Sequence, residues 1–153
     1  GKLSGEYQLI VAGEPYGSFE KYEKIISDLS NRDDIHLFLK YIKDDEVSSF
    51  FSAADIAVLP YRSATQSGIS SVSYHFEVPM IVTDTGGLKE TIGDRGTGIV
   101  ADACAPEAIA EEIEEYFSNP ETKERCIRNI KSEKDRLSWK NFCAGMLEFA
   151  DKL

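Results

Sequence analysis

The chain has 153 residues, 42% of them hydrophobic, and carries a formal net charge of −10. That length allows one well-filled core, while the acidic surface argues against a nucleic-acid backbone or an anionic membrane as partner. Its cysteines, Cys104, Cys126 and Cys143, lack CxxC spacing, and its histidines, His36 and His75, lie far apart, so neither a disulfide framework nor a metal site is expected.

No linker, repeat or low-complexity tract interrupts the sequence, which reads as a single domain over residues 1–153. The first apolar run, YQLIVAG (residues 7–13), is short, rich in β-branched residues and read as a buried strand. SFEKYEKIISDLS follows with Phe19, Tyr22, Ile25, Ile26 and Leu29 on one helical face. IHLFLKY (residues 35–41) is the second strand, and DDEVSSFFSAA the second helix, with Val47, Phe50 and Phe51 inward. DIAVLP (residues 55–60) is the third strand, and residues 68–77 place Ile69, Val72 and Phe76 at helical spacing. PMIVTD (residues 79–84) and TGIVA (residues 97–101) complete about five strands. PEAIAEEIEEYF then opens a helix with Pro106 at its first position, and helices at about residues 121–136 and 138–153 finish the chain. Alternation of this kind predicts an α/β, three-layer, Rossmann-like domain: a mostly parallel sheet with helices on both faces, closed by two or three helices. No run approaches the length of a membrane span, and the free thiols point to the cytoplasm.

Ligands of such sheets bind beyond the carboxyl ends of the strands. The segments leaving those ends are GEPYG, IKDDE, PYRSATQSG and DTGG. A helix N-terminus offers unpaired N–H groups and about half a positive charge, a ready phosphate site. Ser67, Gly68 and Ile69 are expected to present such amides, with Gly86 and Gly87 doing so from the neighbouring strand. Gly13, Arg62 and Lys89 fall beside these turns. Glu90, three residues past Gly87, is expected first to cap its own helix. His75 reads as a structural histidine. Tyr16 and Tyr41 sit at strand ends, where each ring packs on protein or on a base.

The segments LIVAGEP, FFSAADIAVLPYRSATQSG, VPMIVTDTGGLKETI and GTGIVADACAPEAIAEEI together resemble the C-terminal, donor-binding domain of family 4 (group 1) glycosyltransferases of the GT-B fold. The resemblance runs from residue 7 to about residue 119 and implies retaining transfer of a sugar from a nucleotide diphosphate-sugar to a glycan or lipid-linked acceptor, without metal or other cofactor. It implies that the base lies against Tyr41 and Ile42, and that the diphosphate lies at Ser67, Gly68 and Ile69. It also implies that the turn Thr85, Gly86, Gly87 faces the same cleft. Arg62, Thr65 and Glu90 join the donor-binding candidates.

Many members carry two glutamates separated by seven residues in this region. The corresponding positions here are Val72 and Ala64 or Thr65, and Glu77 stands where the family usually has glycine. Some members have an ATQSG turn instead, which makes Gln66 and Ser67 the candidates for catalytic contacts to the sugar. The family's domain normally begins with a further strand bearing a basic pair and follows an acceptor-binding domain. The sequence is therefore expected to be part of a longer enzyme, inactive in transfer alone, cytoplasmic, and peripheral to a membrane through the acceptor domain. A non-catalytic nucleotide- or phosphate-binding module is the alternative.

Overall fold

A computed structural model describes residue 3 and residues 6–152. The chain divides into two compact units, Gly1–Ala53 and Ala54–Leu153.

In the first unit, strand β1 (Leu9–Ala12), helix α1 (Glu20–Ser27), a single 3-10 turn (Arg32–Asp34), strand β2 (Ile35–Phe38) and helix α2 (Asp44–Ala53) follow in order. The two strands pair in parallel, from Leu9 opposite Ile35 to Ala12 opposite Phe38, with α1 as the crossover that parallel pairing requires. Phe19 and Tyr22 pack at the entry of α1, ring centroids 5.3 Å apart. Phe38 meets Phe50 of α2 edge-to-face at 5.0 Å, so the second predicted helical face packs on β2. Asp44, Asp45 and Glu46 fill the first turn of α2, where carboxylates complement the helix dipole. The hydrogen bond from Lys40, with that from the Lys43 amide, holds the Glu46 carboxyl below the ordinary glutamate range.

The second unit holds strand β3 (Ala57–Leu59), helix α3 (Gly68–His75), strand β4 (Met80–Thr83), a π-helical segment (Lys89–Gly93), strand β5 (Gly98–Ala101) and helices α4 (Pro106–Ser118), α5 (Pro120–Arg136) and α6 (Trp139–Ala150). Its sheet is parallel, in the order β3-β4-β5. The middle strand is buried at all four residues, as the unbroken MIVT run requires of a strand covered on both faces. Around it Leu59, Tyr74, Met80, Val82, Leu88, Ile92 and Ile130 form the core. Gly98 permits β5 to approach, since a Cβ there would lie 2.2 Å from the Met80 carbonyl oxygen. The two largest polar side chains in this interior are satisfied: Tyr74 donates to the Thr91 carbonyl at 2.6 Å and Tyr116 to the Asp55 carbonyl at 3.0 Å.

The α/β class and five parallel strands match the expectation, but the strands hydrogen-bond as a pair and a triplet. Two further differences concern termini. The segment after Gly87 is π-helical and not an ordinary α-helix: the Asp94 amide reaches back five residues to Lys89 at 2.9 Å. Helix α6 ends at Ala150, and Leu153, expected at its end, lies outside the described residues.

Glu77 shows why the family position favours glycine. Its φ of 59° is left-handed, the conformation of the residue that closes a helix C-terminus. The amide of Glu77 bonds to Tyr74 at 3.2 Å and that of Val78 to Ser73 at 3.0 Å, which is the Schellman pattern. Lys131 and Lys134 of α5 approach the Glu77 carboxylate at 3.5 and 3.4 Å, and Lys134 also donates to the His75 carbonyl at 2.9 Å. The carboxylate is thus engaged by α5.

Candidate functional site

Strand β3 ends at Leu59, and eight residues, PYRSATQS, lead to α3. Ser67 is the N-cap, extended at φ −131° and ψ 120°, but its side chain caps nothing. Its carbonyl instead accepts from the Ser70 amide at 3.2 Å and the Ser70 hydroxyl at 2.6 Å. The amides of Gly68 and Ile69 find no backbone acceptor among the described residues. Both lie at the positive end of a helix dipole, and at Gly68 a Cβ would meet nothing within 4 Å.

The turn after β4 is packed against the same loop. Gly86 has φ +56°, and a Cβ on it would fall 2.0 Å from the Ala64 carbonyl oxygen. Next to it, the Gly87 amide donates to the Thr65 carbonyl at 3.2 Å. The expectation that Gly87 offers a free amide is therefore corrected: that N–H fixes the ATQSG turn. The hydroxyls of Thr83 and Thr85 donate to the Tyr61 carbonyl at 2.5 and 3.2 Å, and the Tyr61 phenol lies 3.4 Å from the Ser67 hydroxyl. Tyr61, which sequence reasoning passed over, joins both turns; its place directly after the β3 run was the available signal.

Among the remaining candidates, Arg62, Thr65, Gln66 and Ile69 are exposed around the loop. Lys89 pairs with Asp84 at 3.3 Å, which reduces the positive charge it can present. Glu90 is exposed and the start of its segment carries no side-chain cap, so the self-capping expectation fails: the Gly87 amide that a capping box would use is bonded to the Thr65 carbonyl. A cavity of about 400 Å³ opens beside this turn, lined by Asp84, Lys89, Asp94, Asp102 and Arg125. It includes none of the predicted donor residues, and its mixed charge gives no preference for an anion.

In the first unit, Gly13 adopts φ +146° and its amide donates to the Phe38 carbonyl at 3.1 Å. Tyr41 is exposed and Ile42 half-buried. Tyr16 is fully exposed, so neither tyrosine packs into protein as the plainer reading supposed.

The two turns of the second unit, stitched through Tyr61 and opening on two unpaired amides, belong to a Rossmann-like α/β fold. Residues 2–133 match the family model described as "Glycosyl transferases group 1", and the chain belongs to that family. It is 28% identical over 103 residues to a D-inositol 3-phosphate glycosyltransferase of Paenarthrobacter aurescens, covering 67% of this chain and 25% of that protein. It is also 28% identical over 138 residues to an uncharacterized glycosyltransferase of Methanocaldococcus jannaschii, covering 90% of this chain and 39% of the relative. Among solved structures, sucrose-phosphate synthase from Thermosynechococcus elongatus superposes with a TM-score of 0.74 at 18% identity, over 95% of this chain and 37% of that one. That likeness shows the fold, the Rossmann-like α/β arrangement of GT-B proteins. The chain spans well under half the length of these relatives. Among the described residues no helix is long and apolar enough to cross a membrane.

Proposed function

We propose that this chain is the donor-binding part of a retaining glycosyltransferase that moves a sugar from a nucleotide diphosphate-sugar to a glycan or lipid-linked acceptor. The observation that carries the proposal is the pair of amides at Gly68 and Ile69, at the N-terminus of α3, for which no backbone acceptor is found among the described residues. As the bond between the sugar's anomeric carbon and the diphosphate oxygen breaks, negative charge grows on the leaving phosphate. Amides fixed in advance stabilise that charge without reorganising. The acceptor oxygen then bonds to the same face of the anomeric carbon and its proton passes to the phosphate.

Ser67 and Gln66 are the proposed contacts to the sugar, and Thr65 and Arg62 flank the diphosphate. Thr85 and Gly86 hold the loop in shape through Tyr61 and Ala64. Tyr41 and Ile42, with Gly13 at the neighbouring strand end, receive the base. No metal or cofactor enters this scheme. The acceptor is held by a separate domain, through which the protein meets a membrane from the cytoplasmic side. The absence of acidic residues at Val72, Ala64 and Thr65 favours a second reading, a nucleotide-binding module without transfer activity.

Positioning of donor and acceptor within about 3 to 3.5 Å supplies on the order of 7 to 11 kcal/mol of barrier lowering, and one half of a site supplies little of it. A radiolabelled nucleotide-sugar assay with oligosaccharide and lipid acceptors tests the proposal. The chain alone is expected to bind donor and hydrolyse it slowly, with no transfer. Efficient transfer by the chain alone contradicts the division of labour, and failure to bind any nucleotide-sugar contradicts the donor role.

A further inference from the structure

We infer that Tyr16 is a second base-stacking residue, forming with Tyr41 an aromatic platform for the nucleobase of the bound nucleotide. The inference rests on the nucleotide-binding reading above and adds a residue which that reading does not use.

Within the first unit, Tyr16 is 107% and Tyr41 68% exposed. A tyrosine ring left largely in water forgoes the burial that usually places it, and two of them at neighbouring strand ends concentrate that unused surface. Strands β1 and β2 run parallel, so the turns carrying these rings leave the same carboxyl edge, where ligands of such sheets bind. The two turns also start from one hydrogen bond, the Gly13 amide to the Phe38 carbonyl. Tyr16 is three residues beyond Gly13 and Tyr41 three beyond Phe38. Three residues reach at most about 11 Å of chain, which keeps both rings near that bond.

The shape of the turn supports this use. Gly13 at φ +146° and Gly17 at φ +86° bracket Tyr16, each with open space where a Cβ would be. Both conformations are ones side-chain-bearing residues rarely adopt, so the turn that projects the ring is specified by the chain. A tyrosine ring has few rotamers to lose on contact. Stacking on a π-face tolerates any base; Tyr16 therefore contributes affinity and not the choice between bases.

Isothermal titration of UDP, GDP and inorganic pyrophosphate into the chain and its Tyr16→Ala and Tyr16→Phe variants tests the inference. Tyr16→Ala should weaken UDP and GDP alike by about 5- to 150-fold, leave pyrophosphate unchanged, and leave the unfolding midpoint unchanged because the ring touches no core. Tyr16→Phe should bind as the parent does. Undiminished UDP and GDP binding by Tyr16→Ala overturns the inference, as does an equal loss for pyrophosphate. A parent that binds pyrophosphate as tightly as UDP shows that no base platform exists. A parent that binds none of the three overturns the nucleotide reading itself, and Tyr16 with it.

Discussion

Gly86 and Gly68 stand at the two turns of the second unit, and the structure predicts opposite responses to adding one methyl group. At Gly86 the φ of +56° puts an L side chain in the left-handed region, worth about 1 to 2 kcal/mol of strain. The new Cβ would sit 2.0 Å from the Ala64 carbonyl oxygen, which no rotamer relieves because both atoms belong to backbone-fixed groups. The ATQSG turn must then retreat by more than an ångström, and the Gly87 to Thr65 hydrogen bond breaks, a further ~0.5 to 1.5 kcal/mol. Gly86→Ala is therefore expected to destabilise this unit by about 1.5 to 3.5 kcal/mol. Gly68→Ala adds a methyl to open space in the first turn of a helix, where alanine is the better residue by up to ~1 kcal/mol. Urea unfolding followed through amide signals of the buried β4 residues Ile81 and Val82 compares the two within this unit alone. A Gly86→Ala variant within 0.5 kcal/mol of the parent, or a Gly68→Ala variant less stable than it by over 1 kcal/mol, refutes the locked-turn geometry.

Removing the Thr83 hydroxyl, which donates to the Tyr61 carbonyl at 2.5 Å, should cost about 0.5 to 1.5 kcal/mol, one hydrogen bond to a part-buried carbonyl that the Thr85 hydroxyl still serves; thermal unfolding of Thr83→Val checks this, and no change would detach Tyr61 from the turn. Glu77→Gly relieves the left-handed φ but loses ion pairs worth ~0 to 1 kcal/mol at this exposure, whereas Glu77→Ala keeps the strain and loses the pairs, so denaturation midpoints should rank Gly at or above Glu and Glu above Ala. An alanine variant more stable than glycine would show that the turn is not strained. Burial raises the phenol pKa of Tyr116, and of Tyr74. Both phenols are neutral in either state below pH about 10; above it the unfolded chain ionises first, so their contribution is complete below that pH and lost as pH rises through the folded values. Stability measured from pH 9 to 11.5 should fall less steeply in the Tyr74→Phe, Tyr116→Phe double variant, and an unchanged slope would contradict the burial argument.

How much of this was legible in the sequence depends on how local each feature is. The MIVT run of β4 is apolar at every position and buried at every position, because a central parallel strand has two covered faces. LIVA in β1 carries the same signal, yet Leu9 and Ile10 are exposed in the structure. Strand pairing is a tertiary choice, and composition does not reveal a division into a pair and a triplet. At the candidate site, the free amides at Gly68 and Ile69 follow from helix ends alone. The destination of the Gly87 amide does not, since Thr65 is distant in sequence and the contact depends on how the two turns stack. Tyr61 was missed for the same reason: its carbonyl gathers two threonine hydroxyls from the next strand end. Periodicity also could not separate the π turn at Lys89–Gly93 from an α-helix, because the apolar positions Leu88 and Ile92 suit both. At Glu77 the departure from the family's usual glycine was legible, but the left-handed φ of 59° that explains it came only with the structure.

The claim on which the proposed function stands is that the start of α3 binds the diphosphate. The most direct test is a titration of UDP into the isotopically labelled chain, following backbone amide shifts in the parent and in Gly68→Val. A Cβ at Gly68 meets nothing within 4 Å, so Gly68→Val is expected to crowd the amides at the helix start without disturbing the core. Saturable shifts are expected at Ser67, Gly68 and Ile69 in the parent, with their loss in Gly68→Val while the signals of β4 stay in place. Saturable binding that leaves those three amides unmoved, or that survives the valine unchanged, would contradict it.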